Sequence, residues 1–167
     1  DNERVLGTLK VNRSELSSLD FGVITSVAGG GQVDINYNTF DSVGLPLTIL
    51  NASQSTTVLS NTFNFNDVAG YSAGSGLGTT AVFIASTSDS PKSNGTALKN
   101  NKFIDAGASS GGYGILVGQQ GKSVAHSMLV SSNIFTGNTS STDGAGLAAI
   151  DTNDGLVSGN RFSGRAI

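Results

Sequence analysis

The chain has 167 residues, the length of one domain, with 37% hydrophobic residues, only 13% charged residues and a formal net charge of −3. Its nine Lys and Arg form no cluster, which removes the electrostatic footprint of a nucleic-acid binder, and no apolar run approaches the roughly 18 residues that a membrane-spanning helix needs. There is no Cys, so disulfides, thiolate metal sites and a Cys nucleophile are excluded; a start at Asp1 fits a mature exported chain or an excised piece of a longer one.

In chain order, residues 1–20 come first and stand outside the pattern that follows. Leu6-Gly7-Thr8-Leu9-Lys10-Val11 is predicted to be a strand, and Ser14 to Leu19 one helical turn begun by a Ser cap with Glu15 just after it. A solenoid must cover its first coil, and a cap is the first expectation for this segment. The second is an exchanged strand, with Leu6, Leu9 and Val11 added to the sheet of another subunit.

From Phe21 onwards two kinds of short segment alternate. One is aliphatic or β-branched and bounded by turn residues: Gly22-Val23-Ile24, Leu45 to Leu50, Ala81 to Ile84, Gly114 to Val117 and Gly146 to Ile150. The other is one phrase written five times, an aliphatic residue, two variable ones, Asn, one variable one, Phe. It reads Ile35-Asn36-Tyr37-Asn38-Thr39-Phe40, Val58-Leu59-Ser60-Asn61-Thr62-Phe63, Leu98-Lys99-Asn100-Asn101-Lys102-Phe103, Val130-Ser131-Ser132-Asn133-Ile134-Phe135 and Val157-Ser158-Gly159-Asn160-Arg161-Phe162. The asparagines are spaced by 23, 40, 32 and 27 residues, which a solenoid tolerates because its loops grow outwards while its core-facing strands stay constant. None of these segments has the 3.6-residue apolar period of a helix.

Strand, turn, strand, Asn bend, Phe and loop, repeated, predict an all-β chain forming a single parallel β-helix of about five coils over residues 21–167. Equivalent residues then lie about 4.8 Å apart on successive coils. Asn38, Asn61, Asn101, Asn133 and Asn160 are expected to take the left-handed backbone at each bend and to bond amide to amide. Phe40, Phe63, Phe103, Phe135 and Phe162 are expected to stack inside, beside a column of Ile35, Val58, Leu98, Val130 and Val157. In these ladders the chain resembles the right-handed parallel β-helix superfamily of pectate lyases, polygalacturonases, phage tailspikes and autotransporter adhesins. Gly111-Gly112-Tyr113-Gly114-Ile115 and Phe135-Thr136-Gly137-Asn138 are also similar to repeats of chlamydia-type polymorphic outer-membrane adhesins. The resemblance implies the right-handed coil, and the superfamily holds enzymes and inert stalks alike.

Residues for chemistry are few. Asp151 and Asp154 are the best local pair for the two carboxylates of glycoside hydrolysis, but Asp151-Thr152-Asn153-Asp154-Gly155 is first of all a turn. The clustered Asp with His and Arg-x-Lys of polygalacturonases has no match, and the middle coils have no Arg to serve as a lyase base. His126 is the only histidine, with no nucleophile elbow near it, and is expected on a strand pointing to solvent. No metal or cofactor is expected. Tyr71, in the long Gly-rich loop, and Tyr113 are candidates for stacking on a sugar.

After Phe162 only five residues remain, so the last coil either continued in a longer rod or meets a partner. The expectation is a secreted or cell-surface structural, adhesive protein that assembles head to tail into a filament or onto a scaffold. The alternative is a glycan-binding or polysaccharide-degrading fragment, a lyase, hydrolase or tailspike.

Overall fold

A computed structural model of the chain describes residues 8–26, 32–50, 56–64, 79–85, 93–94, 96–104, 112–118, 125–126, 128–137, 145–149, 152–153 and 155–164. Every element among them is a strand, and every pairing is parallel and in register. The first wall is a six-stranded sheet of Thr8–Asn12, Gln32–Asn36, Thr56–Leu59, Ala97–Lys99, Leu129–Ser131 and Leu156–Ser158. The second is a six-stranded sheet of Glu15–Ser17, Thr39–Asp41, Thr62–Asn64, Lys102–Ile104, Ile134–Thr136 and Arg161–Ser163. The third has five strands, Phe21–Ser26, Leu45–Leu50, Thr79–Ala85, Gly112–Val117 and Ala145–Ala149. A short three-stranded sheet of Ser93–Asn94, Ala125–His126 and Thr152–Asn153 leads into the first wall. The chain is a single parallel β-helix.

Among the described residues the β-helix has six rungs on its first two walls, one more than the five phrases announce. The extra rung is built from residues that the sequence sets apart. Val11 pairs with Ile35, Asn12 with Asn36, Glu15 with Thr39 and Leu16 with Phe40, so Val11 to Leu16 is a sixth copy in which Ser14 replaces Asn and Leu16 replaces Phe. The helical turn expected at Ser14 to Leu19 is therefore a strand, Glu15–Ser17. A Ser cap has nothing to cap there, because the Ser14 backbone N–H donates to Asn38 Oδ1 at 3.0 Å and its C=O accepts from Thr39 N at 2.9 Å. Leu9 and Val11, candidates for an exchanged strand, pair with Val33 and Ile35 of their own chain; Leu6 lies outside the described residues.

The bend between the first and second walls also differs from expectation in one detail. The left-handed residue is the one before the asparagine: Tyr37, Ser60, Asn100 and Ser132 have φ of 54–59° and Gly159 has 62°, and Arg13, before Ser14, has 54°. None of the five ladder asparagines is among the residues with positive φ. A single left-handed residue costs roughly 1–2 kcal/mol, and hydrogen bonds to the neighbouring rung offset it. Tyr37 N–H donates to Leu59 O, Ser60 N–H to Lys99 O and Ser132 N–H to Ser158 O, all at 3.0–3.1 Å. The corner turns without losing backbone pairing.

The interior is built from columns. Ile35, Val58, Leu98 and Val130 are fully buried on the first wall, and Leu47, Val82 and Ile115 on the third. The strand Leu45–Leu50 is buried along almost its whole length, which accounts for its unbroken apolar run, as in parallel sheets covered on both faces. Thr56 and Thr96, whose first-wall neighbours Thr57 and Ala97 are register partners, sit in the same core, and their hydroxyls make no hydrogen bond.

Phe40, Phe63, Phe103, Phe135 and Phe162 form one stack, with centroids 4.9, 5.0, 4.6 and 4.6 Å apart and planes within 9° of parallel. That spacing is the strand-to-strand distance of a sheet, so the backbone sets it. The facing corner of the third wall must leave room for the rings. A Cβ on Gly114 would lie 2.7 Å from Cδ1 of Phe135 and 2.6 Å from the Gly146 carbonyl oxygen, and one on Gly146 would lie 2.6 Å from Cδ1 of Phe162. Gly114 and Gly146 on the third wall are thus the complement of the benzyl stack. Gly114→Ala is expected to destabilise the fold by about 1–3 kcal/mol through overpacking against rigid neighbours, read from the midpoint of urea unfolding.

Candidate functional site

The asparagine ladder is the most highly bonded feature of the molecule. Asn61 Oδ1 accepts from Asn38 N at 2.9 Å and from Asn38 Nδ2 at 3.0 Å, while Asn61 Nδ2 donates to Ile35 O at 2.7 Å and to Asn101 Oδ1 at 3.0 Å. Both lone pairs and both protons of the amide are used, which is why it can be 1% exposed without penalty. Asn101 repeats the arrangement with Asn61, Val58 and Asn133, and Asn133 repeats it with Asn101, Leu98 and Asn160. The amide-to-amide bonding read from the sequence is present from Asn38 to Asn160.

Among the described residues the ladder runs from Asn38 to Asn160. Ser14 has no amide, so only its backbone N–H reaches Asn38 Oδ1, and Asn38 Nδ2 donates to Val11 O at 2.7 Å. Asn160 Nδ2 donates to Val130 O at 2.9 Å, and among the described residues no further amide receives its second proton. The packing stops with it. Val157 is 49% exposed where Val130, one rung earlier, is 0%; Leu9 at the opposite end is 38% exposed where Val33 above it is 1%. Leu156, Phe21 and Ile24 add to the apolar surface of the two ends.

Outside the rod the columns are mixed. Asp34 is 8% exposed and is held by Gln32 Nε2 at 2.9 and 3.1 Å, Thr57 Oγ1 at 2.8 Å and Lys10 Nζ at 3.8 Å. Asn64 Nδ2 donates to Asp41 Oδ1 at 2.6 Å across two rungs. The sequence marks neither cluster as special, because cross-rung neighbours are 23 residues apart and only the register joins them. On the second wall one outward column runs Glu15, Thr39, Thr62, Lys102, Ile134, Arg161, with an acid at one end of the rod and a base at the other.

Tyr113 is half-buried on the third wall, in register between Thr80 and Ala145. Tyr71, Asp151 and Asp154 lie outside the described residues. The backbone of His126 is stacked between those of Asn94 and Asn153 in the short sheet, and the strand that follows begins at Leu129. Of the described carboxylates, Glu15, Asp34 and Asp41 each go to a different column and Asp20 lies between two strands, and no group of three or more His, Asp or Glu side chains converges among the described residues. What the described residues offer is shape, a stack of parallel rungs in register. No family model, no curated protein and no solved structure matches the chain.

Proposed function

We propose that this chain is a structural rod of the right-handed parallel β-helix type, exported to the cell surface or beyond, which assembles end to end and displays its outward loops for adhesion. The observation that carries the proposal is the state of the outermost described rungs. They keep the register of the interior rungs, yet Val157 is half exposed where its column is otherwise sealed. An apolar cross-section whose outermost strands have no further partner among the described residues is a template for another parallel strand. Two unlike faces that fit each other make a heterologous contact, and one that does not close yields a filament. The Gly-, Asn- and Ser-rich strand repeats, similar to those of surface adhesins, support the exported setting.

Electron microscopy of the purified chain over a range of concentrations tests this. Rods that lengthen with concentration are expected. Monodisperse particles of a single chain at every concentration would overturn it.

A further inference from the structure

We propose that the bend between the first and second walls is a docking edge for an anionic lipid surface, on which the rod lies lengthwise. From the second rung to the sixth each of these bends is a continuous stretch of described residues, so the edge is defined on every one of them. Its outward positions there hold three cations, Lys99, Lys102 and Arg161, and no Asp or Glu. On the first rung Arg13 and Glu15 offset each other. The cations are scattered along the sequence, and the coil gathers them. Lys102 pairs with Ile134 and Ile134 with Arg161, so two cations stand two rungs, about 9.6 Å, apart along the rod with an aliphatic residue between them. The one ion pair among the described residues is Lys10–Asp34, which leaves all three cations without a carboxylate partner there.

Shape and apolar surface choose the partner. The chain turns a corner at this edge, so the edge is convex. A plane meets a convex edge along its whole length, whereas a single polymer strand is held in a charged groove. From the second rung to the fifth, the exposed large hydrophobics among the described residues are Tyr37, at 61%, and Ile134, at 43%, and both stand on this edge. Tyrosine is favoured where water meets lipid, and an aliphatic group gains by entering the headgroup boundary while neighbouring Lys and Arg hold anionic headgroups. The chain as a whole carries a formal charge of −3. The edge attracts all the same, because charges farther from the surface than about 10 Å are largely screened at 0.1 M salt. The edge runs along the side of the rod, so it is present whether or not rods join.

Co-sedimentation of the full chain with vesicles tests this, using equal parts of phosphatidylglycerol and phosphatidylcholine against phosphatidylcholine alone. Binding to the anionic vesicles only is expected, and its loss in molar salt. Lys99→Gln and Lys102→Gln are each expected to lower the partition coefficient about fivefold, one cation's share of the attraction to an anionic surface. Ile134→Ser is expected to lower it about threefold by removing apolar contact with the headgroup boundary. Lys10→Gln removes a cation that lies off this edge and is expected to bind like the wild type. None of these side chains belongs to the buried core, so the variants are expected to melt with the wild type. Failure of the wild type to bind anionic vesicles overturns the proposal. An equal loss with Lys10→Gln overturns it as well, since the attraction would then be one of overall charge. Capture of dextran sulfate through Lys99 and Lys102, with no vesicle binding and no effect of Ile134→Ser, would make the edge a site for a soluble polyanion and end the lipid assignment.

Discussion

Phe103→Ala is expected to lower the free energy of unfolding by about 3–5 kcal/mol, the cost of deleting a buried aromatic ring. The side chain is 2% exposed and lies between Phe63, at 5.0 Å, and Phe135, at 4.6 Å, so its loss opens a void in the middle of the stack that neither neighbour can close. The neighbours are fixed by their own strands at the sheet spacing. Phe162→Ala provides the comparison. That ring has one stacking partner, Phe135, and is only partly buried at the outermost described rung, so it is expected to cost less than half as much. Equilibrium urea unfolding of both variants measures the difference, and equal losses would mean that the stack is not a cooperative core.

Asn101→Ala carries the second large effect. The amide makes four hydrogen bonds in a site 1% exposed, and its removal leaves Asn61 N–H without a partner and takes one bond each from Asn61 Nδ2, Val58 O and Asn133 Oδ1. With buried unsatisfied groups at about 1–3 kcal/mol each, the expected loss is about 3–4 kcal/mol. Asn101→Asp separates hydrogen bonding from volume. The isosteric carboxylate still accepts from Asn61 but sets an oxygen against Val58 O and Asn133 Oδ1, and burial opposes its charge. Its folded-state pKa is therefore raised above the unfolded value. The native form of this variant is favoured below the unfolded pKa and loses that advantage as pH rises through the folded one. It is expected to unfold more easily at pH 7 than Asn101→Ala and to recover part of the loss in acid, measured as the urea midpoint across pH. A pH-independent midpoint would place residue 101 outside the ladder.

The ladders were legible because a stacked column demands the same side chain at every step. A side chain that bonds the same amide on the rungs to either side and a backbone carbonyl besides uses all its capacity in a form only asparagine supplies, and Asn61, Asn101 and Asn133 are such residues. The first rung was hidden for the complementary reason. Among the described residues Ser14 and Leu16 have a ladder neighbour on one side only, and the phrase is recognisable only once the offset of 24 residues between Ser14 and Asn38 is known. The left-handed position was misplaced because asparagine's backbone tolerance is a local preference, whereas the observed asparagines are spent on amide bonds between rungs and the strained turn falls on whatever precedes them.

What the sequence by itself determined is the repeating cross-section: which residue faces in, which turns and which must be small. Those are requirements of one rung against its equals, and they recur in the chain wherever a rung does. What only the tertiary structure decided is everything that depends on which rung lies over which, such as the pocket of Gln32, Thr57 and Lys10 around Asp34, the glycine corner shaped to the phenyl stack, and the acid and base at opposite ends of one column. Loops of unequal length conceal that order in the linear chain, and parallel pairing at a fixed rung spacing restores it.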